Sequence, residues 1–161
     1  MILKKIKILL FISVTVSCNS NISEVNCSSL NKEEGKYYLD TNLYSGNCLF
    51  FNGGNLAELR SINKGLHKKT IGYWDTGEVK YTGRMKTDSI NGTYKEYYKS
   101  GSLAKKGRFK MGYYHGKWTF TREDGKILRI TTFNKGKVVS EIISNKKTAI
   151  NLEPFHPNRK F

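Results

Sequence analysis

Between residues 70 and 134 apolar and polar side chains alternate in short runs separated by glycine-bearing turns, the pattern of β-hairpins. The alternation is cleanest in Val79–Lys86, Leu103–Lys110 and Ile127–Asn134. Val79, Met85, Leu103, Phe109, Ile127 and Phe133 are expected on one face, because side chains two apart share a face of a strand. Thr82, Arg84, Lys86, Lys106, Arg108 and Lys110 are expected on the other. The first set predicts a stacked apolar ladder and the second a basic stripe. A run rich in aromatic and β-branched residues precedes each of these strands: Thr70–Asp75, Tyr94–Lys99 and Trp118–Glu123. Turns at 75–78, 99–102 and 123–126 join the two, each with a glycine expected at positive φ. Asp124-Gly125 reads as a two-residue hairpin turn.

The pattern recurs at a fixed interval. Gly77, Gly101 and Gly125 lie 24 residues apart, and IGYWDTGEV, KEYYKSGSL and TFTREDGKI align around them without gaps. His67, Asn91 and His115 keep the same spacing and read as one junction-loop position that accepts Asn or His. A fixed period marks an array in which each unit buries its apolar face against its neighbours. A degenerate hairpin precedes the full units, at Leu43–Gly46 and Phe50–Leu56, with Gly54 standing 23 residues before Gly77. After them, Lys137–Ser144 predicts an edge strand whose Lys and Glu discourage pairing with other molecules. The expected fold is all-β: an elongated single-layer array of repeated β-hairpins over residues 43–138, with residues 139–161 as edge strand and loose tail.

The front of the chain reads as an export signal over residues 1–17. Lys4, Lys5 and Lys7 precede nine apolar or small residues, Ile8 to Val16, too few to span a bilayer. Thr15-Val16-Ser17-Cys18 resembles a bacterial lipobox, in which the cysteine becomes the lipidated first residue; Thr15 stands where such signals usually carry Leu. The alternative is an ordinary signal cleaved near Ser17, with Cys18 unmodified. Residues 18–36 are rich in Ser, Asn and charge and read as a tether that cannot fold alone. The expected location is the bacterial envelope, periplasmic or at the outer surface, with a membrane anchor at Cys18.

Charge and cysteines sharpen this picture. The chain holds 28 Lys and Arg against 13 Asp and Glu, a net charge of +15, and removal of residues 1–17 takes away three lysines and no acid. Such an excess points to a solvated surface or an anionic partner. Cys27 and Cys48 remain beside Cys18. In an oxidising compartment they either pair or stay as two free thiols.

The unit G-x-[aromatic]-x-x-Y-Y-x-x-G-x-[Leu/Ile], seen in full at Gly92–Leu103 and completed by Gly107-Arg108-Phe109, resembles the MORN-repeat variant family. Gly116-Lys117-Trp118 through Gly125-Lys126-Ile127 is a second copy. Departures are Lys68 for the opening Gly, Thr121-Arg122 for the paired aromatics and Thr131 for the strand Gly. The resemblance implies a twisted sheet of hairpins used as a scaffold or docking surface. It also implies exported lipoprotein members, often labelled antitoxins.

The residues offer little catalytic chemistry. His67, His115 and His156 are the only histidines, the acids are scattered, and no G-x-S-x-G, H-E-x-x-H, P-loop or metal-ligand spacing occurs. The expectation is a non-enzymatic protein without cofactor or metal, docking a protein partner. An immunity protein neutralising a toxin, or a binder of anionic envelope lipid, is the alternative. Nucleic acid is not expected, and no small-molecule substrate is evident. The candidate contact residues are Arg84, Lys86, Lys106, Arg108 and Lys110 on the basic stripe, and Trp74, Tyr94, Tyr97, Tyr98 and Trp118 as an aromatic surface. The competing role for the stripe is solvation, and for the aromatics core packing between hairpins.

Overall fold

A computed structural model describes residues 24–144. The elements are β1 (Val25–Asn26), a 3₁₀ turn (Cys27–Ser29), β2 (Asn31–Glu33), β3 (Lys36–Leu39), β4 (Asn42–Leu43) and β5 (Gly46–Asn52). They continue with β6 (Asn55–Asn63), β7 (Leu66–Tyr73), β8 (Val79–Lys86), β9 (Ser89–Tyr97) and β10 (Leu103–Lys110). The last are β11 (Tyr113–Thr121), β12 (Ile127–Asn134) and β13 (Lys137–Ile143). Ten strands form one long sheet in the order β1-β5-β6-β7-β8-β9-β10-β11-β12-β13, and β2-β3-β4 form a small second sheet. From β5 onward every neighbour in the long sheet is the next strand in the chain, paired antiparallel. The expected all-β array of hairpins is the observed architecture.

Two turn types alternate along the array. The turns at 74–78, 98–102 and 122–126 are superposable in their bonding. The glycine N–H donates to the carbonyl three residues back, as in Gly77 to Trp74, Gly101 to Tyr98 and Gly125 to Arg122. Each glycine has positive φ, as expected. Asp124-Gly125 is therefore not a two-residue turn, since Gly125 occupies the fourth position. Two-residue turns with positive φ at both residues lie at the opposite ends of the repeat hairpins, at Lys64-Gly65, Thr87-Asp88, Met111-Gly112 and Lys135-Gly136, and one more, Gly53-Gly54, stands in place of a wide turn between β5 and β6. That is the twist-matched hairpin geometry. These turns lengthen the leading strands. β7, β9 and β11 begin at Leu66, Ser89 and Tyr113, earlier than the expected Thr70, Tyr94 and Trp118.

The junction position reads differently in space. His67 stands opposite Ile62, as Ile90 stands opposite Met85 and Tyr114 opposite Phe109. The first unit is one residue short, so the counterparts of His67 are Ile90 and Tyr114, not Asn91 and His115. Asn91 and His115 lie inside strands, each beside a register shift. These are β-bulges, which increase local twist.

The core is a row of side chains running across the sheet. Registers place Arg60 opposite Thr70, Thr70 opposite Gly83, Gly83 opposite Tyr94 and Tyr94 opposite Gly107. Trp118 then stands opposite Thr131. Large rings sit over bare backbone: a Cβ added to Gly107 would fall 2.2 Å from the Trp118 ring. Trp118 is fully buried and donates from Nε1 to the Arg108 carbonyl at 3.1 Å. Phe109 and Tyr114 pack on it at ring separations of 5.0 and 4.0 Å. Of the expected apolar ladder, Met85, Phe109 and Phe133 are buried and Val79 and Leu103 half-buried. Ile127 is exposed. Register shifts at Gly72/Tyr73, Leu103/Lys105 and Phe120/Thr121 reset the alternation near the start of each return strand.

Burial holds the Tyr94 and Tyr114 hydroxyls well above the ordinary value of 10, and the Glu96 carboxylate adds to this. Burial raises Tyr81 in the same way, aided by its hydrogen bond to Glu58. The fold holds the neutral form. This contribution is therefore complete below pH 10 and is lost as the pH rises above it. Ultraviolet titration is expected to show part of the ten tyrosines ionising reversibly and these three only together with unfolding. Smooth reversible ionisation of all ten would contradict the buried row.

Residues 24–36, expected within a tether, are folded instead. Cys27 and Cys48 form a disulfide across a separation of 21 residues. β1 pairs in parallel with β5, and Leu30 and Tyr37 are buried with both cysteines. The β2–β4 sheet is tied to the Lys64-Gly65 turn. The Tyr37 N–H donates to the Gly65 carbonyl at 2.8 Å, and the Gly65 N–H to the Tyr44 carbonyl at 2.7 Å. A polar segment folds here because a disulfide and an existing sheet edge share the ordering cost. Residues 1–17, Cys18 and the tail from 145 lie outside the described residues.

Candidate binding surfaces

The face opposite the aromatic row carries the basic stripe. Arg84, Lys86, Lys106, Arg108 and Lys110 are all exposed, and Lys69, Lys95 and Lys117 join them. Lys69 stands directly opposite Arg84, and Lys95 directly opposite Lys106. Like charges opposed across a ladder destabilise a sheet. The ion pairs among the described residues lie elsewhere, including Glu58–Arg60, Asp75–Lys99, Glu96–Lys105 and Glu141–Arg129. None of them neutralises the stripe. The stem of Arg84 lies across Gly92, within 3.4 Å of where a Cβ would stand.

The aromatic residues divide. Tyr94 and Trp118 are core and unavailable as a contact surface. Trp74, Tyr97 and Tyr98 are half-buried near the wide turns. The Tyr98 hydroxyl donates to the Thr121 carbonyl at 2.8 Å, binding adjacent turns together. The Trp74 ring is faced by the ammonium groups of Lys80 at 4.4 Å and Lys99 at 5.6 Å. Lys99 also bridges to Asp75 of the preceding turn at 2.9 Å. This turn edge is thus a stack of cation–ring and ion-pair contacts. His67 is core, with burial and the nearby Arg60 lowering its pKa. Among the described residues no group of three metal-ligating side chains occurs, and no helix is long and apolar enough to cross a membrane.

A polar cluster escaped the sequence reading. At the junction of β6, β7 and β8 with the β2–β4 sheet, Glu58 accepts from the Tyr81 hydroxyl at 2.6 Å and from Arg60 Nε at 2.7 Å. His67, Thr70, Lys32 and Asp88 complete the lining of a small cleft. The signal that betrays it is Thr70, which occupies the repeat position held by Tyr94 and Trp118 one and two units later. No family model, no curated protein and no solved structure matches this chain.

Proposed function

We propose that this protein is a non-enzymatic docking module of the MORN-like kind, held at a bacterial envelope through Cys18, that binds an acidic protein surface on its basic face. The observation that carries the reading is the opposition of Lys69 to Arg84 and of Lys95 to Lys106 with no acid alongside. A sheet selected for stability alone gains by placing acids there, since opposite charges across a ladder are favourable. A partner that supplies the missing negative charge relieves the repulsion on binding, and a field of one sign also speeds encounter. The rigid array of short turns suits a preformed surface that changes little on association.

The test is an affinity capture from the native envelope fraction with wild type beside Arg84→Glu/Arg108→Glu. The double variant is expected to lose the partner, with affinity falling about tenfold or more and wild-type binding weakening as salt rises. Both sites are exposed, so thermal stability should hold. Equal capture by both proteins would remove the interface from this face. Binding of wild type to anionic vesicles with no protein captured would replace the acidic protein with a lipid surface.

A further inference from the structure

The cleft beside Thr70 is a consequence of broken repetition. In the second and third units a ring covers a glycine of the adjacent strand, Tyr94 over Gly83 and Trp118 over Gly107. In the first unit the same two places hold Thr70 and Arg60. The ring is missing, and the space it would fill stays open. On one side Tyr81 closes it, lying over Gly72, where a Cβ would come within 2.0 Å of the ring. On the other side the β2–β4 sheet closes it with Lys32 and Tyr37. The result is a cleft of about 160 Å³. At about 30 Å³ for each water in the liquid this is the volume of about five waters, and a cavity of about 150 Å³ takes up benzene, so the cleft has room for one six-membered ring.

Its chemistry is balanced. Arg60 is paired with Glu58 and Lys32 with Asp88 at 3.0 Å, so the four charges cancel within the lining. No excess charge draws in an anion or a cation, and a zwitterion would have to separate existing pairs. What the lining offers is a mixture of donors and acceptors. Glu58 holds the Tyr81 hydroxyl, and Arg60 bonds Glu58 through Nε, leaving its terminal nitrogens as further donors. His67 Nε2 donates to the Lys69 carbonyl at 3.1 Å, which makes Nδ1 an acceptor in the neutral ring. Met85 and Ile90 supply an apolar wall. Alternating polar groups around an apolar patch match a ring that carries hydroxyls on its rim and C–H groups on its face.

We propose that this cleft binds a neutral, polyhydroxylated ligand of the size of one sugar ring, free or as the end of a glycan. The site is separate from the basic face and stands or falls independently of it. It adds to a sequence in which no small-molecule ligand was evident, because the cleft is made by an absent side chain.

The experiment is amide NMR titration of the purified protein with glucose, N-acetylglucosamine and a chitin trisaccharide, with inorganic phosphate and glycine as controls. Saturable shifts are expected at Lys32, Glu58, His67, Thr70 and Asp88, in the millimolar range appropriate to so small a ligand. Tighter binding of the trisaccharide assigns the end of a glycan; equal binding assigns the free sugar. Arg60→Gly/Thr70→Tyr rebuilds the Gly83–Tyr94 step inside the cleft and is expected to abolish the shifts while the β10–β12 resonances keep their positions. Should that variant not fold, Thr70→Leu places a larger apolar side chain at the same lining position and is expected to weaken binding about fivefold by occupying part of the cleft. The proposal is overturned if no sugar gives saturable shifts, if only phosphate or glycine does, or if binding survives in the filled variant or is unchanged in Thr70→Leu.

Discussion

Gly107→Ala is expected to lower the stability of the array by about 3 kcal/mol, the upper part of the range for overpacking. The added methyl group would lie 2.2–2.5 Å from three atoms of the Trp118 ring system. That ring cannot retreat: it is fully buried, hydrogen-bonded to the Arg108 carbonyl, and hemmed by Tyr94, Phe109 and Tyr114. Gly112→Ala is the control. Nothing lies within 4 Å of its Cβ position, and the cost there is only that of a side chain at φ +81, about 1 kcal/mol. Chemical denaturation of both variants measures the contrast. A double-mutant cycle makes it specific. Trp118→Ala alone removes a buried indole and costs about 3–5 kcal/mol. With the ring gone, adding Gly107→Ala should be neutral or slightly favourable, because alanine suits a strand better than glycine. Equal stability of Gly107→Ala and wild type would mean that Trp118 is not seated on that backbone.

The same row explains what the sequence could and could not disclose. β8, β10 and β12 fall at their expected limits, because alternation along Val79–Lys86 and its two counterparts runs to the ends of the strands. The leading strands β7, β9 and β11 are longer than their aromatic and β-branched runs. Thr87-Asp88 and Met111-Gly112 lack the Asn-Gly signature of a two-residue turn, and the bulges at Asn91-Gly92 and His115-Gly116 imitate loops. The 24-residue spacing of His67, Asn91 and His115 is a coincidence produced by the short first unit. Thr131, a departure from the repeat by sequence, is natural in space. The strand that follows ends the sheet, and Thr131 is free to donate to Glu141 at 2.8 Å where a third ring would otherwise lie.

The candidate surfaces were legible to different degrees. The basic stripe follows from alternation, and Arg84, Lys86, Lys106, Arg108 and Lys110 share the exposed face as read. What alternation cannot give is register. Only the pairing reveals that Lys95 faces Lys106 and that Lys69 faces Arg84. The aromatic residues were ambiguous because hydrophobicity does not tell a ring lying on glycine from a ring facing solvent; the partner strand decides, as Gly107 does for Trp118. The cleft required one further step. A row had to be recognised before the small residue within it, Thr70, acquired meaning.

Replacement of both bridging cysteines, Cys27→Ser/Cys48→Ser, is expected to destabilise the N-terminal end by about 3 kcal/mol while leaving the far repeats folded. The bridge closes 21 residues, and the chain-entropy treatment assigns about that magnitude to a loop of this length. Its effect should be local. In an array of repeats each unit touches only its neighbours, so stability is lost where the contact is lost. Besides the bridge, the cap is held by the small apolar cluster of Leu30, Tyr37 and Tyr44 with Ile62, the short parallel pairing of β1 with β5, the Tyr37–Gly65 and Gly65–Tyr44 backbone bonds, and the Lys32–Asp88 pair. Without the disulfide these few contacts must bear the ordering cost of a polar segment alone. Hydrogen exchange should therefore show β1–β4 opening at much lower free energy than in wild type. β10, β11 and β12, locked by Trp118, should keep their protection. Uniform loss of protection through β12 would show instead that the cap and the array fold as one cooperative unit. Under the localised outcome the wall formed by Lys32 and Tyr37 leaves the cleft, so the proposed sugar binding should be lost while the proposed interface on the basic face, on β7–β11, should be unaffected.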